Sequence, residues 1–192
     1  MTRYQSWLFA TALLFTLACG DQKPKPAAAE YVPYFPVNAF LLEQLHQIDS
    51  LKPPTVLYTE NGKDSSVQGI ELSTVRAMAA PFLQYDISVS PLHDQYKEES
   101  FADQSIPAIT FTYTTVDSSL PLQRVDVILK PDPVKADKVK SIYMEKFYAQ
   151  GDSAITEKLY WKADHFYQVI RTAGAGGKEI TTRQKVVWNP AE

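Results

Sequence analysis

The sequence predicts an α+β fold for residues 31–192. An antiparallel β-meander of about six strands, with a short N-terminal hairpin ahead of it, is covered on one face by two N-terminal helices. Three observations predict it. Apolar residues recur at helical spacing only early in the domain, over residues 37–51 and 73–83. From residue 107 onward the period changes to two, as in strands with one wet face. The segments joining those strands are too short for the crossover that parallel neighbours require, so the neighbours are antiparallel.

The first helix is expected over residues 37–51. Val37, Phe40, Leu41, Leu45, Ile48 and Leu51 share a face, with Glu43, His46 and Ser50 opposite. Asn38 or Pro36 starts it, and Pro53-Pro54 prevents its continuation. Residues 55–59 and 65–70 then flank Glu60-Asn61-Gly62-Lys63, where Asn-Gly suits a tight hairpin. Ser73 is the expected cap of the second helix, whose buried face is Val75, Met78, Ala79, Phe82 and Leu83; Pro81 inside it implies a kink or an early stop. Residues 92–99 are too polar and short to assign.

Strands are expected over residues 107–116, 124–130, 138–150, 154–163, 165–172 and 179–188, separated by Pro131-Asp132-Pro133, Gly151-Asp152 and residues 174–177. Ile109, Phe111 and Tyr113 alternate with threonines. Val125, Val127 and Leu129 point inward, as do Ile155, Leu159 and Trp161, while Lys158 and Lys162 point out. A one-sided sheet needs cover, and the two helices supply it. Were the sheet to curl around them, the outline would be similar to the periplasmic lipoprotein carriers.

Ahead of the domain the chain carries an address. Arg3 is the only charge before the apolar run Trp7-Leu8-Phe9-Ala10-Thr11-Ala12-Leu13-Leu14-Phe15-Thr16-Leu17. That run is too short to span a bilayer and suits the apolar core of a signal peptide. Thr16-Leu17-Ala18-Cys19 resembles the lipobox, with Thr16 in place of the preferred leucine. The resemblance implies cleavage after residue 18 and acylation of Cys19, the single cysteine, giving two or more chains and so a stable membrane anchor. Residues 19–30 are the lipidated cysteine and a tether, since Gly20 to Glu30 holds no large apolar residue that could repay ordering by burial. Loss of Arg3 makes the formal charge of −3 one unit more negative, which disfavours nucleic acid.

The sequence carries few residues in catalytic or metal-binding patterns. None of His46, His93 and His165 sits at metal-ligand spacing, so no metal, cofactor or nucleotide is expected. There is no Gly-x-Ser-x-Gly elbow. Gly174-Ala175-Gly176-Gly177-Lys178 precedes a strand rather than a helix and reads as a hairpin loop, not a phosphate cradle. The carboxylates Glu98, Glu99, Asp132, Asp152, Glu157 and Asp164 are scattered. Aromatics are the unusual feature. In Tyr160-Trp161 and Phe166-Tyr167 the neighbours must face opposite sides of a strand, so one of each pair leaves the core. The candidate binding surface is Tyr160, Lys158, Lys162, Tyr167 and Arg171, because aromatic residues and arginine are enriched at interface centres.

With its lipobox, charged proline tether and helix-then-meander order, and in Tyr34-Phe35-Pro36-Val37 and Leu159-Tyr160-Trp161-Lys162-Ala163-Asp164, the chain resembles small envelope lipoproteins of the Bacteroidota. The resemblance implies location and shape but no activity. Gly20 after the cysteine is compatible with the outer membrane, and Lys23 and Lys25 oppose Asp21, which favours a periplasm-facing position. The expected function is that of a non-catalytic envelope lipoprotein that binds a protein partner through its exposed sheet face. The alternative is a carrier or sensor holding a lipid or glycan between the helices and a curled sheet.

Overall fold

The computed structural model describes residues 33–103, 105, 107–132 and 138–190. The leader, Cys19 and the tether lie outside the described residues. Helix α1 (Val37–Leu51) buries Val37, Leu41, Gln44, Leu45 and Ile48, the three-and-four spacing of a single stripe. Pro36 precedes it without a side-chain cap. Leu51, expected on the stripe, is exposed, because the chain already turns at Lys52. Pro53 bars the right-handed helical conformation there, and Lys52 takes φ 48° and ψ 49° instead, its N–H donating to Ile48 O.

The hairpin follows as β1 (Val56–Asn61) and β2 (Asp64–Gly69). Asn61 pairs with Asp64, so the two-residue turn is Gly62-Lys63 rather than Asn61-Gly62. Gly62 has φ 62° at the first turn position, where type II′ geometry takes glycine. Helix α2 (Leu72–Leu83) is capped by Glu71, whose carbonyl accepts from the N–H groups of Thr74 and Val75, and not by Ser73, which lies inside the helix. Pro81 acts as an early stop: only two residues follow it.

A 3-10 turn, His93–Gln95, leads into β3 (Tyr96–Asp103), a strand that the sequence does not announce. It is an edge strand carrying Lys97, Glu98 and Glu99, and an edge needs one pairing partner and little apolar surface. The remaining strands are β4 (Ala108–Thr115), β5 (Leu122–Lys130), β6 (Lys138–Gln150), β7 (Ser153–Lys162), β8 (Phe166–Ala175) and β9 (Lys178–Val187). The β8–β9 turn is Gly176-Gly177, both at positive φ, so the glycine run is a tight hairpin turn.

The nine strands of the described residues form one antiparallel sheet in the order β2-β1-β9-β8-β7-β6-β5-β4-β3, against the expected six or so plus a short hairpin. The hairpin joins because β1 pairs with β9, Val56 opposite Val187 and Tyr58 opposite Lys185. The sheet is not closed into a barrel.

One face, here the inner face, packs on the helices. Trp161 is fully buried and meets Phe82 edge-on at 5.3 Å and 86°, and it stacks on Tyr167 at 4.9 Å. Tyr167 donates to Val75 O at 2.6 Å, which ties β8 to α2. Gln44 ties α1 to the β7–β8 turn. Its Nε2 donates to Asp164 Oδ1 at 2.9 Å and its Oε1 accepts from the Asp164 N–H at 2.7 Å. Asp164 holds φ 64°, a left-handed turn position that aspartate tolerates. At the other end Tyr34 stacks on His93 at 4.0 Å and donates to Tyr96 O, while the Tyr113 hydroxyl accepts from the Phe35 N–H at 3.0 Å. The two sequence motifs therefore serve packing.

Candidate functional site

Alternation assigns each strand residue to a face, and cross-strand pairing collects those residues into rows. Two sites emerge, one on each face of the sheet.

On the inner face, past the end of α2, Lys146, Glu157 and Arg171 stand opposite one another on β6, β7 and β8. Lys146 is 1% exposed. Its ammonium donates to Pro81 O at 2.5 Å and to Gln84 Oε1 at 3.0 Å. The Pro81 carbonyl is among the last four of α2, which lack intrahelical partners, and a cation there also suits the helix dipole. Glu157 Oε2 lies 3.7 Å from Nζ, Tyr148 donates to Glu157 Oε1 at 2.9 Å, and Arg171 Nε is 3.6 Å from the same oxygen. Burial pushes the Lys146 ammonium below the usual lysine range, and Glu157 only partly counters this. The cluster is a satisfied ionic network that closes one end of the core.

On the outer face the middle row reads Tyr58, Lys185, Gln168, Tyr160, Tyr143 and Asp126 across β1, β9, β8, β7, β6 and β5. The row on one side holds Val56, Val187, Phe166 and Lys162; the row on the other holds Glu60, Arg183, Ile170, Lys158, Glu145 and Arg124. Over β1, β9 and β8 these rows make a groove of about 490 Å³ whose lining includes Tyr58, Phe166, Gln168, Arg183, Lys185 and Pro190. Lys185 Nζ sits 4.1 Å from the Phe166 ring centroid, within cation–π range, and Tyr160 borders Phe166 at 5.8 Å.

The predicted surface residues divide between these sites. Tyr160, Lys158 and Lys162 are on the outer face beside the groove. Tyr167 and Arg171 are on the inner face: Tyr167 is fully buried and pairs with Trp161, and Arg171 belongs to the ionic network. Treating Tyr167 as exposed is therefore corrected. Its hydroxyl finds a partner in Val75 O, which removes the cost of burying it. Tyr58, Phe166, Arg183 and Lys185 are the groove residues that sequence reasoning missed. The pair rule implies Phe166 as soon as Tyr167 is placed inward, whereas Tyr58 and Lys185 meet only through the β1–β9 pairing.

No family model, curated protein or solved structure matches this chain. The site therefore has to be read from its own chemistry. Among the described residues no three His, Cys, Asp or Glu side chains gather as metal ligands would. His93 stacks on Tyr34, His165 Nδ1 lies 3.2 Å from Asn189 O, and His46 is exposed on the polar side of α1. None of the described helices is long and apolar enough to cross a membrane. Between helices and sheet lie the buried side chains of Trp161, Tyr167, Phe82, Leu41, Leu45 and Ile142, and a cargo lodged among them would have to displace core side chains.

Proposed function

We propose that the chain is a non-catalytic lipoprotein of the cell envelope, anchored through Cys19 in the outer membrane facing the periplasm, which binds a protein partner through the outer face of its sheet. The observation that carries this reading is the asymmetry of the two faces. The inner aromatics and ions are spent on packing, while Tyr58, Phe166 and Tyr160 line or border an open groove beside lysine and arginine. Aromatic side chains with cationic neighbours are the composition of interface centres. His93, His165 and the buried carboxylate of Glu157, which catalysis would recruit, are already held in structural contacts.

Two experiments test it in the cells that make the protein. A photo-crosslinking residue at Tyr160 should capture a discrete protein adduct, and the same residue at Glu43, on the exposed side of α1, should not; equal capture from both positions, or from neither, removes the sheet-face reading. For the address, radiolabelled palmitate should enter the protein, and Cys19→Ser should leave the membrane fraction. A Cys19→Ser chain that stays with membranes removes the anchor.

A further inference from the structure

The outer face is not neutral around its groove. In the three rows around the groove the carboxylates are already taken: Glu60 by Arg183 at 2.9 Å, Glu145 by Lys158 at 4.0 Å, and Asp126 by Arg124 at 2.9 Å together with the hydroxyl of Thr112 at 2.8 Å. In those rows two cations are left over. Lys162 and Lys185 have no carboxylate within 4 Å among the described residues, although the chain as a whole carries a net charge of −3. Both adjoin the same ring, since Lys162 is the cross-strand partner of Phe166 and Lys185 lies over it.

Resting on the protein-binding reading above, we infer that this groove takes an acidic segment of the partner protein, its carboxylates meeting Lys162 and Lys185 and an adjoining apolar or aromatic side chain lying on Phe166, Tyr58 and Val187. Charge complementarity selects this occupant. A basic segment would meet two uncompensated lysines, and a neutral one would leave both ammonium groups partly desolvated without a counter-charge. Such contacts govern encounter and register as well as affinity, so the association weakens with salt.

The test uses the full-length protein in detergent micelles and three fluorescein-labelled octapeptides: two repeats of Glu-Leu-Glu-Tyr, and the same sequence with glutamine or with lysine at the glutamate positions. The acidic peptide should bind at least about tenfold more tightly than the glutamine peptide, and Lys162→Glu with Lys185→Glu should abolish that preference. Phe166→Ala should weaken both peptides alike. Equal binding of acidic and glutamine peptides, no acidic binding at millimolar concentration, or a preference surviving the double substitution overturns the inference. Tighter binding to phosphatidylglycerol vesicles than to the acidic peptide also overturns it, by assigning the face to a lipid surface. The two readings fail separately. An adduct captured at position 160 that the double substitution leaves undiminished sinks the acidic partner alone, whereas loss of the adduct from the unsubstituted chain sinks both.

Discussion

Tyr160-Trp161 on β7 and Phe166-Tyr167 on β8 are two aromatic dipeptides in neighbouring strands, and each sends one ring into the core and one to the outer face. In the first the tyrosine goes out; in the second it goes in, against the order that polarity alone suggests. Trp161 opposes Tyr167 in the register, so the ring that shares a row with the buried tryptophan is buried with it. The same contrast holds for the lysines. Lys146 is enclosed against the end of α2 with a carboxylate beside it, while Lys162 and Lys185 stand on the outer face with no carboxylate within 4 Å among the described residues. A side chain's type sets what partner it needs; its row in the sheet sets which partner it gets.

Substitutions on the two faces should therefore differ in kind. The largest effect is expected from Trp161→Ala, which empties the centre of the aromatic cluster and should lower unfolding stability by about 3–5 kcal/mol in a urea titration. If it costs no more than Tyr160→Ala, the division of the faces is wrong. Next comes Glu157→Leu, which strands the buried Lys146 charge and should cost about 3 kcal/mol. Adding Lys146→Met should restore much of that loss, because an apolar pair needs no desolvated charge. A double substitution worse than Glu157→Leu would mean that the contact of Lys146 with Pro81 O matters more than its ion pair.

Alkaline pH probes the inner face through its phenols. Burial raises Tyr96 to about 12 and pushes Tyr113 and Tyr167 up as well. Above pH 10 the unfolded chain releases these protons while the folded chain keeps them. Stability that is fully present below pH 10 should thus fall as pH rises toward the folded values, by about 1.4 kcal/mol per pH unit for each phenol. Tyr167→Phe should cost about 1 kcal/mol near neutrality through the lost bond to Val75 O, and it should make the alkaline decline shallower by one phenol's share. An unchanged slope would show that Tyr167 titrates freely. The smallest effects belong to the outer face. Tyr160→Ala and Lys185→Ala should each change stability by less than about 1 kcal/mol while altering partner capture.

Much of the architecture was legible in local pattern. The bounds of α1, the two tight turns, the early end of α2 at Pro81, and the alternation in β4 through β9 all follow from residues within a few positions of one another. β3 was not legible, because among its described side chains only Tyr96 is buried and its charges match no apolar period. Of the candidate surface, Tyr160, Lys158 and Lys162 were placed correctly by parity. Tyr167 and Arg171 were not, because both parities of β8 carry large side chains: Phe166 and Ile170 on one, Tyr167 and Val169 on the other.

What the chain determined by itself is periodicity and punctuation: where the helices and most of the strands run, which turns need glycine, and which residues alternate. Tertiary structure alone decided three further things. It brought β1 beside β9, which unites Tyr58 with Lys185. It chose the buried face of β8. And it set a lysine under the end of α2. The reason is that strand period is a property of neighbouring bonds, whereas pairing partner and register depend on contacts between residues as far apart as Glu60 and Arg183, which no local pattern encodes.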